Sequence, residues 1–238
     1  MAAWIDSVFR SLDLSVFEIM HSWAVAAGEN AGAEITSFLT HLMNFISFFA
    51  HDGLCMFALG GILMLFRRTR RAGLCVFLAV CCGGLITNIT VKPLVGRIRP
   101  YANMEHLGAT VREWWTYVGE ARKTKSIIGS FPSGHTTSAA AAMVGLFMTT
   151  KKKYTWPVLF FPILMGISRI YLMVHYTSDV LAGLVAGTLG AVAAFFLTKL
   201  FWYLLHKYEG KKLCRFILDF DLIALIRKLF KKDTATES

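Results

Sequence analysis

Apolar residues run through this chain in long blocks, and polar residues collect between the blocks. Residues 72–91, 134–149, 155–174 and 179–205 each hold a nearly unbroken apolar run, close to the roughly 20 residues with which a helix crosses a hydrocarbon core. A shorter run, 53–66, ends in the basic cluster "RRTRR" at 67–71 and is read as a further span, because a thinned bilayer accommodates a short helix. The N-terminal part is mixed. Residues 14–27 form an amphipathic stretch suited to the interface, whereas 33–50 is apolar but carries Glu34, His41 and Asn44, and one or two crossings both fit. The predicted fold class is all-α: a polytopic membrane helical bundle of about six transmembrane helices. It forms one domain over 1–238, with 1–50 as an interfacial or first-span region and 206–238 as a cytoplasmic tail.

If successive spans alternate in direction, the basic clusters at 67–71, 151–153, 206–215 and 227–232 all fall on one side, as the positive-inside rule requires of a cytoplasmic face. The opposite ends carry three polar stretches: "KPLVGRIRP" at 92–100, "FPSGH" at 131–135 and "SRIYLMVHYTSD" at 168–179. Ionisable groups from three loops are thereby brought to one outer face. After 206 the tail fits either an interfacial helix or a solvated segment.

Composition agrees with a membrane protein: 55% of residues are hydrophobic, 17% are charged and the mean hydropathy is +0.54. The net charge of +10 sits at the ends of apolar runs, where it favours anionic lipid head groups and not nucleic acid. The cysteines, Cys55, Cys75, Cys81, Cys82 and Cys214, are odd in number and lie in or beside apolar runs, supporting neither a disulfide framework nor a zinc site. The first fifteen residues contain Asp6 and Asp13 and no basic leader, so no cleaved signal peptide is expected.

The three polar stretches hold residues suited to an anion. Lys92 and Arg99 are seven apart, about 10 Å along one helix face, and their long side chains can converge on one ligand. Pro100 disfavours helix at Arg99, so the helix is expected to end there. A snorkelling basic rim explains the same residues, and Arg97 fits the rim better. In the second stretch Pro132, Ser133 and Gly134 precede a helix of small residues, whose N-terminal N–H groups make an anion cradle. His135 there is placed to give a proton to a leaving oxygen, although Ser133 as an ordinary cap fits too. In the third, His175 and Asp179 are four apart. If the backbone there is helical, the carboxylate reaches the imidazole and fixes its tautomer, leaving the other nitrogen as nucleophile or base beside Arg169.

These stretches match, in order and spacing, the signature K-x6-R-P, P-S-G-H, S-R-x5-H-x3-D, and the chain resembles the membrane branch of the type 2 phosphatidic acid phosphatase (PAP2) superfamily. The resemblance implies a haloperoxidase-like core and a phosphatase that uses no metal or other cofactor and works through a phosphohistidine. By motif position His175 is the nucleophile, Asp179 orients it, and His135 protonates the leaving oxygen and then activates water. Lys92, Arg99, Ser133, Gly134 and Arg169 hold the phosphoryl oxygens. An outward site at head-group level implies a lipid phosphate partner, with undecaprenyl diphosphate, recycled as a carrier lipid in cell-wall synthesis, first among substrates. Phosphatidic acid, phosphatidylglycerol phosphate and lipid A phosphates are alternatives. The loop 101–131, with Trp114, Trp115, Tyr117, Arg112, Arg122, Lys123 and Lys125, fits head-group selection or simple contact with the membrane surface. A transporter is disfavoured by the absence of repeated halves, and a non-catalytic scaffold by the presence of every signature residue. Oligomeric state is not readable from the sequence.

Overall fold

The computed structural model describes residues 1–26, 33–103 and 126–226. Its principal helices are α1 (Ala2–Ala26), α2 (Ala33–Phe48), α3 (Leu54–Met64), α4 (Arg70–Gly84), α5 (Gly134–Thr149), α6 (Phe160–Tyr171), α7 (Thr177–Lys207) and α8 (Lys212–Asp219). Among the described residues there is no strand, only an isolated bridge between Ile98 and Ile128.

Helices α4, α5 and α7 pack on one another at the centre, with α3 against α4, α6 against α5, α2 against α6 and α1 against α7. Small residues make the central contact. Ala139, Ala140, Ala141 and Ala142 of α5 are buried. A Cβ on Gly187 would stand 2.5 Å from the carbonyl oxygen of Thr137, and one on Gly190 2.7 Å from the backbone nitrogen of Gly83. Backbones approach this closely where helix association relies on van der Waals contact in place of hydrophobic drive, the situation inside a bilayer. The outer face of α7 shows the complement, with Leu181, Val185, Leu189, Phe196 and Leu200 all exposed at helical spacing. Two helical stretches of the described residues, Arg70–Val95 and Thr177–Lys207, are long and apolar enough to cross a membrane. Large apolar side chains outside and small ones inside fit a lipid surround.

Several boundaries differ from the sequence expectation. The amphipathic start is longer than 14–27, since α1 begins at Ala2, and 33–50 yields a single helix, α2. The run 155–174 is interrupted: a tight 3-10 turn covers Trp156–Leu159 around Pro157, and α6 starts at Phe160. The run 72–91 continues α4 through a widened π turn, Leu85–Val91, into a short helical turn, Lys92–Val95. Pro93 has no N–H to give the carbonyl of Ile89 and its ring crowds that carbonyl. The wider turn relieves the conflict, with the Lys92 N–H donating to the Thr87 carbonyl. The helix then stops at Gly96, which adopts φ 61°, three residues before the stop expected at Arg99. Only the extended conformation of Arg99, φ −74° and ψ 151°, follows the restriction that Pro100 imposes.

The tail is held to the bundle up to Leu222. Arg70, one of the basic cluster, is buried and donates to the carbonyls of Ile217 at 2.6 Å and Leu218 at 3.2 Å, and also to that of Phe220. It thus closes the C-terminal end of α8, where cations are favoured.

Candidate active site

Chain direction brings the polar stretches together. The ends of the bundle at the α3 start, the α4 extension, the α5 start, the α6 end and the α7 start lie at one pole, and the basic clusters at 67–71 and 151–153 lie at the other. At the first pole a cleft of about 560 Å³ is lined by Lys92, Arg99, Gly134, His135 and His175 on its polar side. Phe57, Val80, Leu85 and Ile89 line its apolar side, and Leu85 and Ile89 are exposed at its edge.

His175 reaches this cleft from a sharp reversal. Helix α6 ends with the Val174 N–H donating to the Arg169 carbonyl at 3.2 Å and Met173 in the left-handed region at φ 54°, an αL helix end that usually employs glycine. The next helix starts at Thr177, so His175 lies outside both helices. The route to Asp179 is therefore not a helical i,i+4 pairing, as the sequence suggested. Asp179 sits in the first turn of α7, where its Oδ2 accepts from the Tyr176 N–H at 3.0 Å and lies 3.4 Å from His175 Nδ1. Ser130 joins this arrangement: its hydroxyl donates to Asp179 Oδ2 at 2.5 Å and lies 3.5 Å from His175 Nδ1. These acceptors assign the proton to Nδ1. Nε2 then keeps its lone pair on the cleft side, 3.4 Å from an Arg99 Nη1 that also donates to the Val174 carbonyl at 3.2 Å.

Burial comes first, and then Arg99, Arg169 and Lys92, in holding the conjugate acid of His175 well below the usual imidazole range. A neutral imidazole with one fixed N–H keeps a lone pair on its other nitrogen that is able to act as nucleophile or base. Around it the cations and the start of α5 are placed to neutralise an oxyanion. The head of Lys92 hangs over that helix start, with its Nζ 3.1 Å from where a Cβ on Gly134 would be.

The structure places the remaining signature residues differently. Ser133 is fully buried, its hydroxyl caps α5 through Thr136, and its N–H donates to the Asp179 carbonyl at 3.0 Å. Arg169 is buried and donates to the Ser47 hydroxyl on α2. Neither lines the cleft; both brace the elements that do. His135 lines it, with its ring edge-on to that of His51 at 5.7 Å between centroids. Among the described residues no group of three or more His, Cys, Asp or Glu side chains is arranged to hold a metal ion. The aromatic and basic residues read for head-group selection, 112–125, fall outside the described residues.

Arg97 corrects the rim reading. It is 1% exposed and donates to Asp6 at 2.8 Å, Asp13 at 2.9 Å, Asp179 at 2.5 Å and the Ser178 hydroxyl at 2.7 Å, with its guanidinium 3.9 Å from the Tyr176 ring centre. A side chain with this many partners is internal, and the planar five-donor fork of arginine suits it. The signal available in the sequence was Asp6 and Asp13, seven apart on one helix of an apolar region, a pair that needs a cation if buried.

Comparison with known proteins finds relatives of this chain. The model of the PAP2 superfamily matches residues 71–207. The undecaprenyl-diphosphatase BcrC of Bacillus subtilis is 45% identical over 56 residues, covering 24% of this chain and 28% of that protein. An undecaprenyl-diphosphatase of Sulfolobus acidocaldarius is 26% identical over 151 residues, covering 63% of this chain and 66% of that protein. The chain thus spans less than two thirds of the length of these curated relatives. The crystal structure of Aquifex aeolicus LpxE is similar in fold, with a TM-score of 0.57 at 21% identity over 77% of this chain and 94% of that one.

Proposed function

The chain belongs to the PAP2 superfamily, and on that footing we propose that it is a membrane phosphatase that removes the terminal phosphate of a lipid diphosphate through a phosphohistidine. The observation that carries the reading is the two-sided cleft, with Lys92, Arg99, His135 and His175 facing Phe57, Leu85 and Ile89. A phosphate fits the first side and a lipid chain the second. Phosphoryl transfer needs charge compensation and in-line placement more than covalent complexity, and here cations and a helix N-terminus supply them.

His175 Nε2 attacks phosphorus as the bond to the leaving oxygen breaks, and His135 gives that oxygen its proton. The N–P bond is then broken by water, His135 takes the water's proton, and inorganic phosphate and neutral His175 are regenerated. Asp179 stabilises the positive charge that the imidazole carries in the intermediate. Lys92, Arg99 and the backbone at Gly134 hold the equatorial oxygens, with Ser133 and Arg169 supporting from behind.

Two relatives bear the name undecaprenyl-diphosphatase, which supports a polyprenyl diphosphate as substrate, at a site facing away from the basic, cytoplasmic pole. The test is phosphate release by the detergent-purified protein in EDTA, from undecaprenyl diphosphate and phosphatidic acid side by side, with His175→Ala as control. Faster release from the diphosphate, abolished in the variant, is expected. Preference for phosphatidic acid would move the substrate assignment, and release that needs an added metal would overturn the mechanism.

A further inference from the structure

Helix α1 precedes the residues that the family model matches, which begin at 71, yet it reaches the group that holds His175. Asp13 is 3% exposed. Its Oδ2 accepts from Arg97 at 2.9 Å and from the Ser178 hydroxyl at 2.8 Å, and its Oδ1 accepts from the Ser178 N–H at 2.8 Å. That N–H is one of the first-turn donors of α7, which have no partner within their own helix. Asp13 therefore caps α7 from a different helix. Both arms of the contact end at Asp179: Arg97 donates to its Oδ1 at 2.5 Å, and Ser178 is its neighbour in the chain. Asp6, one face-repeat earlier on α1, holds the remaining edge of the same guanidinium at 2.8 Å.

We propose that Asp13 is a positioning residue of the active site: through Arg97 and Ser178 it sets the rotation of the Asp179 carboxylate against His175 Nδ1. The N-terminal helix is then part of the catalytic unit and not an anchor that could be exchanged for another. The inference rests on His175 being the nucleophile. Its physical basis is a division of labour within Asp179. Oδ1 accepts from Arg97, and Oδ2 faces Ser130, Tyr176 and His175. Without Asp13, the guanidinium has one fewer partner and is free to take both oxygens of Asp179 in a bidentate pair, which arginine favours. The carboxylate then turns away from the imidazole.

Asp13→Asn tests this by steady-state kinetics and pH profile on undecaprenyl diphosphate. A fall in kcat of about tenfold or more with KM nearly unchanged is expected, the pattern of an interaction that strengthens in the transition state. The acid limb of kcat is expected to move to lower pH. The groups acting on His175 are Arg99, Arg169 and Lys92 on one side, and Asp179, backed by Asp13, Asp6, Arg97 and Tyr176, on the other. Loss of one negative charge makes the imidazolium harder to form. A merely structural role gives the opposite shift, because loosened packing admits water and relieves the burial that depresses the imidazole.

Wild-type kcat in Asp13→Asn, or an acid limb moved upward, would overturn the inference. Should Asp13→Asn fail to fold, Asp13→Glu, which keeps the charge, and Ser178→Ala report on the same contacts. Reduced kcat at constant KM is expected from Ser178→Ala, with a kcat in Asp13→Glu between that of Ser178→Ala and wild type, and wild-type kcat in both variants would overturn the inference. A wild-type protein that releases no phosphate from either lipid overturns the phosphatase reading itself and this inference with it, whereas an active wild type with indifferent variants overturns the inference alone.

Discussion

Arg97 and Asp179 meet at 2.5 Å in a pocket where their side chains are 1% and 0% exposed, joining the loop after α4 to the first turn of α7. Asp13 and Asp6 complete the coordination of the same guanidinium. A buried ion pair of this kind adds little over a well-packed apolar pair, but loss of one partner leaves the others charged and unpaired. Arg97→Ala strands two buried carboxylates and a third that is half-exposed. A loss of about 3–5 kcal/mol is expected, read as a fall in unfolding temperature of the detergent-purified protein. A variant as stable as wild type would show that water replaces the guanidinium without cost.

The depressed conjugate acid of His175 fixes the sign of a pH effect. An imidazole with an ordinary pKa near 6.5 loses nucleophilicity as pH falls through that value. Burial, followed by Arg99, Arg169 and Lys92, holds His175 below it, so phosphate release is expected to persist through pH 6.5 and to fail only at lower pH. Arg99→Gln removes the largest of the three charge contributions, and its acid limb is expected to lie at higher pH than wild type, alongside a raised KM. Phosphate release measured from pH 4 to 8 gives the comparison. An acid limb already at 6.5 in wild type would mean that the imidazole is hydrated.

The helix over 134–149 was legible to the residue, because the capping serine, the glycine and the block of alanines all point the same way. Lys92, Arg99 and His135 each lie next to a proline or a glycine that limits where the backbone can go, whereas His175 is read from its spacing to Asp179, although it lies outside both helices. Arg97 was not legible. Its partners Asp6, Asp13 and Asp179 are 91, 84 and 82 residues away, and nothing local distinguishes an arginine at the membrane surface from one turned inward. Ser130 was missed for a related reason: the pairing of 97–99 with 127–130, in which the Arg97 carbonyl accepts from both the Gly129 and Ser130 N–H groups, is a tertiary contact with no periodic signature. The early stop at Gly96 follows from the left-handed preference of a glycine, which ends the helix before the restriction from Pro100 acts.

The two poles predict an orientation in the membrane. Ile127, 56% exposed, lies in the segment that pairs with Ile98 and Arg99 at the site pole, and Tyr154, 71% exposed, follows the basic cluster at the other. In a chain whose own cysteines are replaced by alanine, Ile127→Cys in intact cells is expected to react with a membrane-impermeant maleimide. Tyr154→Cys is expected to react only after permeabilisation. The reverse pattern would put the site on the cytoplasmic side, contrary to the distribution of Lys and Arg.

Two glycines separate packing from function. A Cβ on Gly134 meets only the far end of Lys92, at 3.1 Å, and the Asn88 side-chain oxygen at 3.6 Å. Both can move, so the fold should tolerate Gly134→Ala while the ammonium leaves its place over the α5 N-terminus. If Lys92 holds phosphate as proposed, its displacement by about 1 Å is expected to cost on the order of tenfold to a hundredfold in rate. A Cβ on Gly187 meets the backbone itself, 2.5 Å from the Thr137 carbonyl oxygen and 2.9 Å from the Ala141 nitrogen, and helices α5 and α7 must separate to admit it. Overpacking of about 1–3 kcal/mol is expected for Gly187→Ala. Thermal unfolding and phosphate release measured on both variants should therefore dissociate, with Gly134→Ala losing activity at near-normal stability and Gly187→Ala losing stability first. Equal losses of stability in the two would mean that Lys92 is locked in place, and that the cleft is as rigid as the helix interface beneath it.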